Sequence, residues 1–178
     1  IDVTTNAVLP DYQALQTATK AQVDLWAAGQ ATNCANRIEL AKAYQTTADK
    51  WQAVYHWNFG PITGLLRRDR FYHWPERRNV VAKTISALLI ERDADKLDQD
   101  HFSKTSVAGQ GLPALERLLF EKVDVRRDRY ACQLGFAIAR NLHEIASHTV
   151  TDWQTDVLPT IARGDEHPVY FDDAQDVL

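Results

Sequence analysis

Apolar side chains recur along this chain at three- and four-residue steps, the spacing that gathers them on one face of a helix. Tyr12, Leu15, Thr19, Val23 and Trp26 mark a first amphipathic helix, which Gly29 and the polar run 30–33 interrupt. A second carries Leu40, Tyr44, Thr47, Trp51 and Val54, with Asn33 or Asn36 as its N-cap. It stops before Phe59-Gly60-Pro61, because glycine and proline end helices. The section from Gly60 to Pro75 reads as irregular, aromatic and basic. A third helix is expected from Pro75-Glu76, since proline and acidic residues suit a first turn, and it carries Val80, Val81, Ile85, Leu88 and Leu89.

Beyond a polar connection over 93–105, with room for a short helix, the segment Ser106-Val-Ala-Gly-Gln-Gly-Leu-Pro-Ala-Leu-Glu-Arg-Leu-Leu-Phe120 runs from small residues into an apolar helix. Gly109 and Gly111 suit a break between elements, and Pro113 suits a first turn. Leu112, Leu115, Leu118 and Leu119 follow at helical spacing and set Glu116 within a turn of the helix start. A fifth helix begins near Asp128, carries Leu134, Ile138, Leu142, Ile145 and Trp153, and reaches the 159–164 region. No stretch alternates apolar and polar residues as a half-buried strand does. The pattern predicts an all-α fold, an antiparallel up-and-down helical bundle.

Composition changes this picture little. The 178 residues are 45% hydrophobic and 25% charged, ordinary for a globular chain with one sizeable core. A formal net charge of −4 argues against nucleic acid or an anionic membrane as the main partner. No apolar run approaches the ~20 residues a transmembrane helix needs. The chain begins at Ile1 and contains no methionine, as a processed protein would, so a signal or anchor segment is expected to have been removed.

Cys34 and Cys132 lack the close pairing of zinc ligands. They are either two buried free thiols or one disulfide between two helix starts. The disulfide is favoured; in an oxidising compartment it would close a loop worth on the order of 4 kcal/mol.

Other candidate chemistry is thinner. His143 and His148 flank Glu144 on the last long helix, but five residues apart they diverge by roughly 140° about the axis, unlike zinc-binding pairs. A solvated helix surface accounts for them. His56, His73 and His101 sit near loops, and His56, just before Phe-Gly-Pro, is the best placed of these for a ligand role. Arg67, Arg68 and Arg70, with Arg77, Arg78, Arg126 and Arg127, could hold an anion, but nearby acids offset them. Core packing explains Trp26, Trp51 and Trp153, whereas Trp57 and Trp74, beside glycine and proline breaks, suit the rim of a site.

Several of these segments together resemble the imelysin family. Trp51-Gln-Ala-Val-Tyr-His-Trp-Asn-Phe-Gly-Pro61 resembles the family's early Trp helix and Phe-Gly-Pro, and His73-Trp-Pro75 its Trp-Pro element. Gln110-Gly-Leu-Pro-Ala-Leu-Glu-Arg-Leu-Leu119 is similar to its Gly-x-His-x-x-Glu segment, with Pro113 where the motif has histidine. The likeness spans roughly residues 8 to 160. It implies an extracytoplasmic, periplasmic protein, membrane-anchored before processing, from a family of two-bundle proteins linked to iron uptake and classed among metallopeptidases. It further implies that residues 1–164 form the first bundle and 165–178 a linker or the start of a second, lying beyond Leu178. Of the family's metal pair only Glu116 carries over, with Gln110, Gly111 and Pro113 as the motif loop. The expected function is therefore a binding protein connected with iron, zinc or a small ligand and lacking peptidase activity. The rivals are a metallopeptidase and an interaction scaffold built on the arginine-rich 67–78 loop.

Overall fold

The computed structural model describes residues 3–121, 124–163 and Tyr170. Among these there is no strand, and the long helices pack as an all-α bundle. Helix α1 (Leu9–Gly29) continues a π-helical turn (Thr4–Val8) and buries Tyr12, Leu15, Val23 and Trp26, the face its periodicity marked. Its end unwinds through a 3-10 turn into Asn33 and Cys34, both left-handed. The Asn36 side chain then accepts from the Glu39 backbone N–H at 3.4 Å and starts α2 (Arg37–Val54), which lies beside α1.

The segment read as irregular holds a 3-10 stretch (Gly60–Leu66) and a short helix, α3 (Arg67–Phe71). Gly60 sits at φ +70°, and a Cβ there would lie 2.6 Å from the Trp153 ring, so the Phe-Gly-Pro turn needs its glycine on two counts. The next helix, α4 (Val80–Glu91), begins later than expected. Arg78 and Asn79 both have positive φ, which breaks any helix started at Pro75. Glu76 lies outside α4 and caps it from there, its carboxylate accepting from the Val81 N–H at 2.8 Å.

The polar connection contains α5 (Gln99–Phe102) and leads to α6 (Leu112–Phe120). The Asp128 side chain accepts from the Ala131 N–H at 3.1 Å and caps α7 (Arg129–Asp152), which runs almost without a break through a π-helical turn into α8 (Leu158–Arg163). Helix α7 is the spine, packed on α1, α6 and α5. Helix α6 lies against both α7 and α2, with α4 on another side. Cys34 and Cys132 form a disulfide that ties the α1–α2 connection to the first turn of α7. Both are buried. The proposed linker over 165–178 lies outside the described residues, Tyr170 apart.

Candidate functional site

The Gly-Leu-Pro segment owes its position to a polar network. Gln110 is 1% exposed, and its amide donates to the Thr105 carbonyl at 2.6 Å and the Ser103 carbonyl at 3.3 Å. Arg70 on α3 donates from Nε to Gln110 Oε1 and from Nη2 to Asn141 Oδ1 on α7, each at 2.8 Å. Asn141 returns a hydrogen bond to the Gln110 carbonyl at 3.1 Å. Three separated parts of the chain are thereby locked at the start of α6. Gly111 is then pressed on the end of α3: an added Cβ would lie 2.4 Å from the Phe71 carbonyl oxygen. The glycine is needed for this backbone approach, and Pro113 falls in the first turn, where its missing N–H costs nothing.

Helix α6, so anchored, buries Leu112, Leu115, Leu118 and Leu119 and leaves Glu116 on its open side. A cleft of about 230 Å³ lies there, lined by Tyr72, His73, Trp74, Glu76, Pro113, Glu116, Arg117, Phe120 and Glu121. Its walls are fixed from behind. Tyr72 packs against Trp51 and Tyr55, at 6.2 Å between ring centroids in each case, and Trp51 stacks on Phe71 at 4.5 Å. Phe120 meets Tyr44 edge-on at 5.4 Å.

The cleft is electronegative. Burial first, then the Glu116 charge and a hydrogen bond to its carboxylate, push the Tyr44 phenol well above its ordinary value. Tyr72 is raised in the same way, by burial and then by Glu116. Arg117, the one arginine in the lining, is engaged by Glu121 at 2.6 Å and Glu76 at 3.6 Å, and it also donates to Asn79 at 3.0 Å. Glu116 has no ion-pair partner among the described residues. His73 contributes a buried Nδ1 with no hydrogen-bond partner.

Of the residues expected at a site, Pro113, Glu116 and Trp74 come together here, and Trp74 is 61% exposed at the rim. Gln110 and Gly111 support the cleft from beneath. His56 and Trp57 do not line it: their rings lie 4.1 Å apart, Trp57 donates from Nε1 to Asp11 at 3.3 Å, and its carbonyl accepts from Tyr12 at 3.2 Å. Nor do the histidines of α7 converge on a site. His143 is half-buried between Thr19 and Ser147, Glu144 accepts from Gln99, and His148 is exposed. The arginine run has internal duties. Arg67 is buried against Asp152 at 2.6 Å and the Pro61 carbonyl, and Arg68 lies 4.4 Å over the Tyr55 ring. Sequence reasoning missed Tyr72 and Glu76 as cleft residues, and Tyr44 as the ring behind Phe120. Their shared hint was proximity in sequence to the Trp helix and the Trp-Pro element.

The imelysin family model (Imelysin, peptidase M75) matches residues 8–167. The chain belongs to the imelysin family. Among solved structures it is similar to an imelysin-like protein from Psychrobacter arcticum, with a TM-score of 0.76 and 20% identity over 86% of this chain. That identity level establishes the shared helical fold. The match covers 48% of the other protein, so this chain spans about half its length. Comparison with curated proteins gives no match.

The Gly111–Glu116 segment carries Pro113 and Glu116 on one face of the α6 start. A resident metal ion does not fit the residues present: Pro113 has no donor atom, and Glu116 is left as a single carboxylate. Among the described residues no three His, Cys, Asp or Glu side chains gather around one point. Zinc held for catalysis takes three protein ligands and an open position.

Proposed function

We propose that this imelysin-family chain is an extracytoplasmic binding protein, without peptidase activity, that takes a cationic ligand at the Glu116 cleft. The observation that carries the reading is the unpaired Glu116 carboxylate in a cleft whose single arginine is already engaged by two other acids. A cation gains there what the fold leaves uncompensated. The family's link to iron or another metal enters as cargo. One carboxylate is a hard donor, and such an ion would keep water or its own chelator on its remaining positions. Peptide hydrolysis would need a fuller donor set than Glu116 provides.

An oxidising compartment favours the Cys34–Cys132 disulfide, and among the described residues no helix is long and apolar enough to cross a membrane. The disulfide supports a periplasmic or otherwise extracytoplasmic protein. We take residues 1–164 as one bundle and a second bundle of the same protein as its partner. The half-length match to the Psychrobacter protein supports that arrangement.

Incubation with unstructured peptides, with added zinc or iron and with or without chelator, tests the enzymatic side. No cleavage above the chelated control is expected. Chelator-sensitive cleavage lost in Glu116→Gln would overturn the proposal.

A further inference from the structure

The cleft is better furnished with aromatic rings than a bare ion requires. Besides Glu116 it is lined by Tyr72, Trp74 and Phe120, and neither its volume nor its polarity suits a large ligand. Pockets for drug-sized molecules usually exceed ~300 Å³; this one, at about 230 Å³, is the size of a head group. Phe120 is 45% exposed and Trp74 more so, an uncommon arrangement for rings that the core could have covered. The acids on its walls outnumber the bases. Glu76, Glu116 and Glu121 face one arginine, and that arginine is engaged by the other two acids.

An aromatic wall around one free carboxylate is the chemistry that recognises an organic ammonium. The ring faces carry negative electrostatic potential that attracts a cation, while the methyl or methylene groups around the nitrogen are covered by apolar surface. A hydrated metal ion gains nothing from the rings, because it would have to shed strongly held water to touch them. We infer that the group entering the Glu116 cleft is an alkylammonium head group, with Glu116 as its counter-ion and Tyr72, Trp74 and Phe120 as its walls. This deepens the reading of the cleft as a cation-binding site and rests on it.

The supporting shell is set for the task. Tyr72 is held by Trp51 and Tyr55, and Phe120 is held by Tyr44. Little ordering is then left to be done on binding.

Tetramethylammonium chloride is the probe, titrated into the whole chain and followed by indole fluorescence and by NMR of the tryptophan side chains. Its neutral counterpart, tert-butanol, is titrated in parallel, with sodium chloride holding ionic strength constant. Saturable binding with a dissociation constant on the order of millimolar is expected, with tert-butanol at least tenfold weaker. Glu116→Gln and Trp74→Ala should each weaken it about tenfold, and Trp74→Phe should restore most of the loss. Both positions are exposed, so unchanged thermal midpoints are expected and confirm folding. Iron(II), titrated anaerobically, separates the two levels of the argument. If iron binds through Glu116 and tetramethylammonium does not, the ammonium inference is overturned and the cation site stands. If neither binds, both fall. Equal binding of tetramethylammonium and tert-butanol also overturns the inference, since the charge would then contribute nothing.

Discussion

Gly111 has no Cβ because the Phe71 carbonyl oxygen would sit 2.4 Å from it and the Arg70 carbonyl oxygen 2.7 Å. Neither is the movable tip of a side chain, so backbone must shift if a methyl is added. Gly111→Ala should destabilise the fold by about 1–3 kcal/mol, the range for overpacking, read as a lowered urea midpoint at constant slope. An unchanged midpoint would contradict the close approach. The sequence made Gly111 legible as a break and Gln110 as a motif residue. Their reasons were not legible, because Arg70 and Asn141, which hold them, lie 40 and 31 residues away in the chain. No local pattern encodes such a pairing. Glu116 was legible because its helix could be drawn from leucines alone, whereas Tyr44 read only as part of an apolar helix face and Tyr72 carried no local signal.

A second residue carries a pH dependence. Burial first, then the Lys20 charge, hold His143 below its ordinary value of 6.5, with Asp24 pulling the other way. The unfolded chain therefore binds the proton more tightly than the folded one. Stability should fall as pH drops from about 6.5 toward the lower folded value, then level off. His143→Gln should flatten that slope in urea melts taken across the same window. Identical slopes in both proteins would show that His143 titrates without cost.

At the scale of elements, helix starts divide into those a sequence announces and those it does not. Asn36 and Asp128 announce α2 and α7, since each caps with its own side chain two to four residues before the first buried apolar position. Helix α4 gave a misleading signal. Pro75-Glu76 reads as a first turn, yet positive φ at Arg78 and Asn79 moves the start to Val80, and Glu76 serves as an outside cap. Helix α3 was hidden because its five residues are too few for periodicity to register.

The start of α6 is the element on which the chemistry turns. Residues 113 and 116 are three apart and share one face, so a donor at position 113 would complete a pair with Glu116. Pro113→His should tighten zinc binding over that of the parent by adding a second ligand, seen in calorimetry and lost again on adding Glu116→Gln. If zinc affinity does not change, the loss of the histidine is not what separates this chain from its family motif.

At the scale of the whole molecule, the bundle rests on α7 packed against α1, with the disulfide closing the end where α1 turns into α2. The cysteines are separated by 98 residues in sequence, so reduction frees a long loop in the unfolded state. The Cys34→Ser, Cys132→Ser double variant should lose about 5 kcal/mol of stability. Denaturant melts would check this, and a loss below about 1 kcal/mol would contradict the chain-entropy account. All-α architecture was readable throughout, because long amphipathic helices repeat the same pattern over many turns. The cleft was not, since it forms only where α6 and the segment after α3 meet.

The central claim is that Glu116 is the counter-charge of a bound cation. Titration of the protein and of its Glu116→Gln variant with tetramethylammonium chloride, at constant ionic strength, tests it most directly. The account predicts one site per chain in the parent, weakened at least about tenfold in the variant at an unchanged melting temperature, a difference of roughly 1.4 kcal/mol or more. Equal affinity in the two proteins would contradict it.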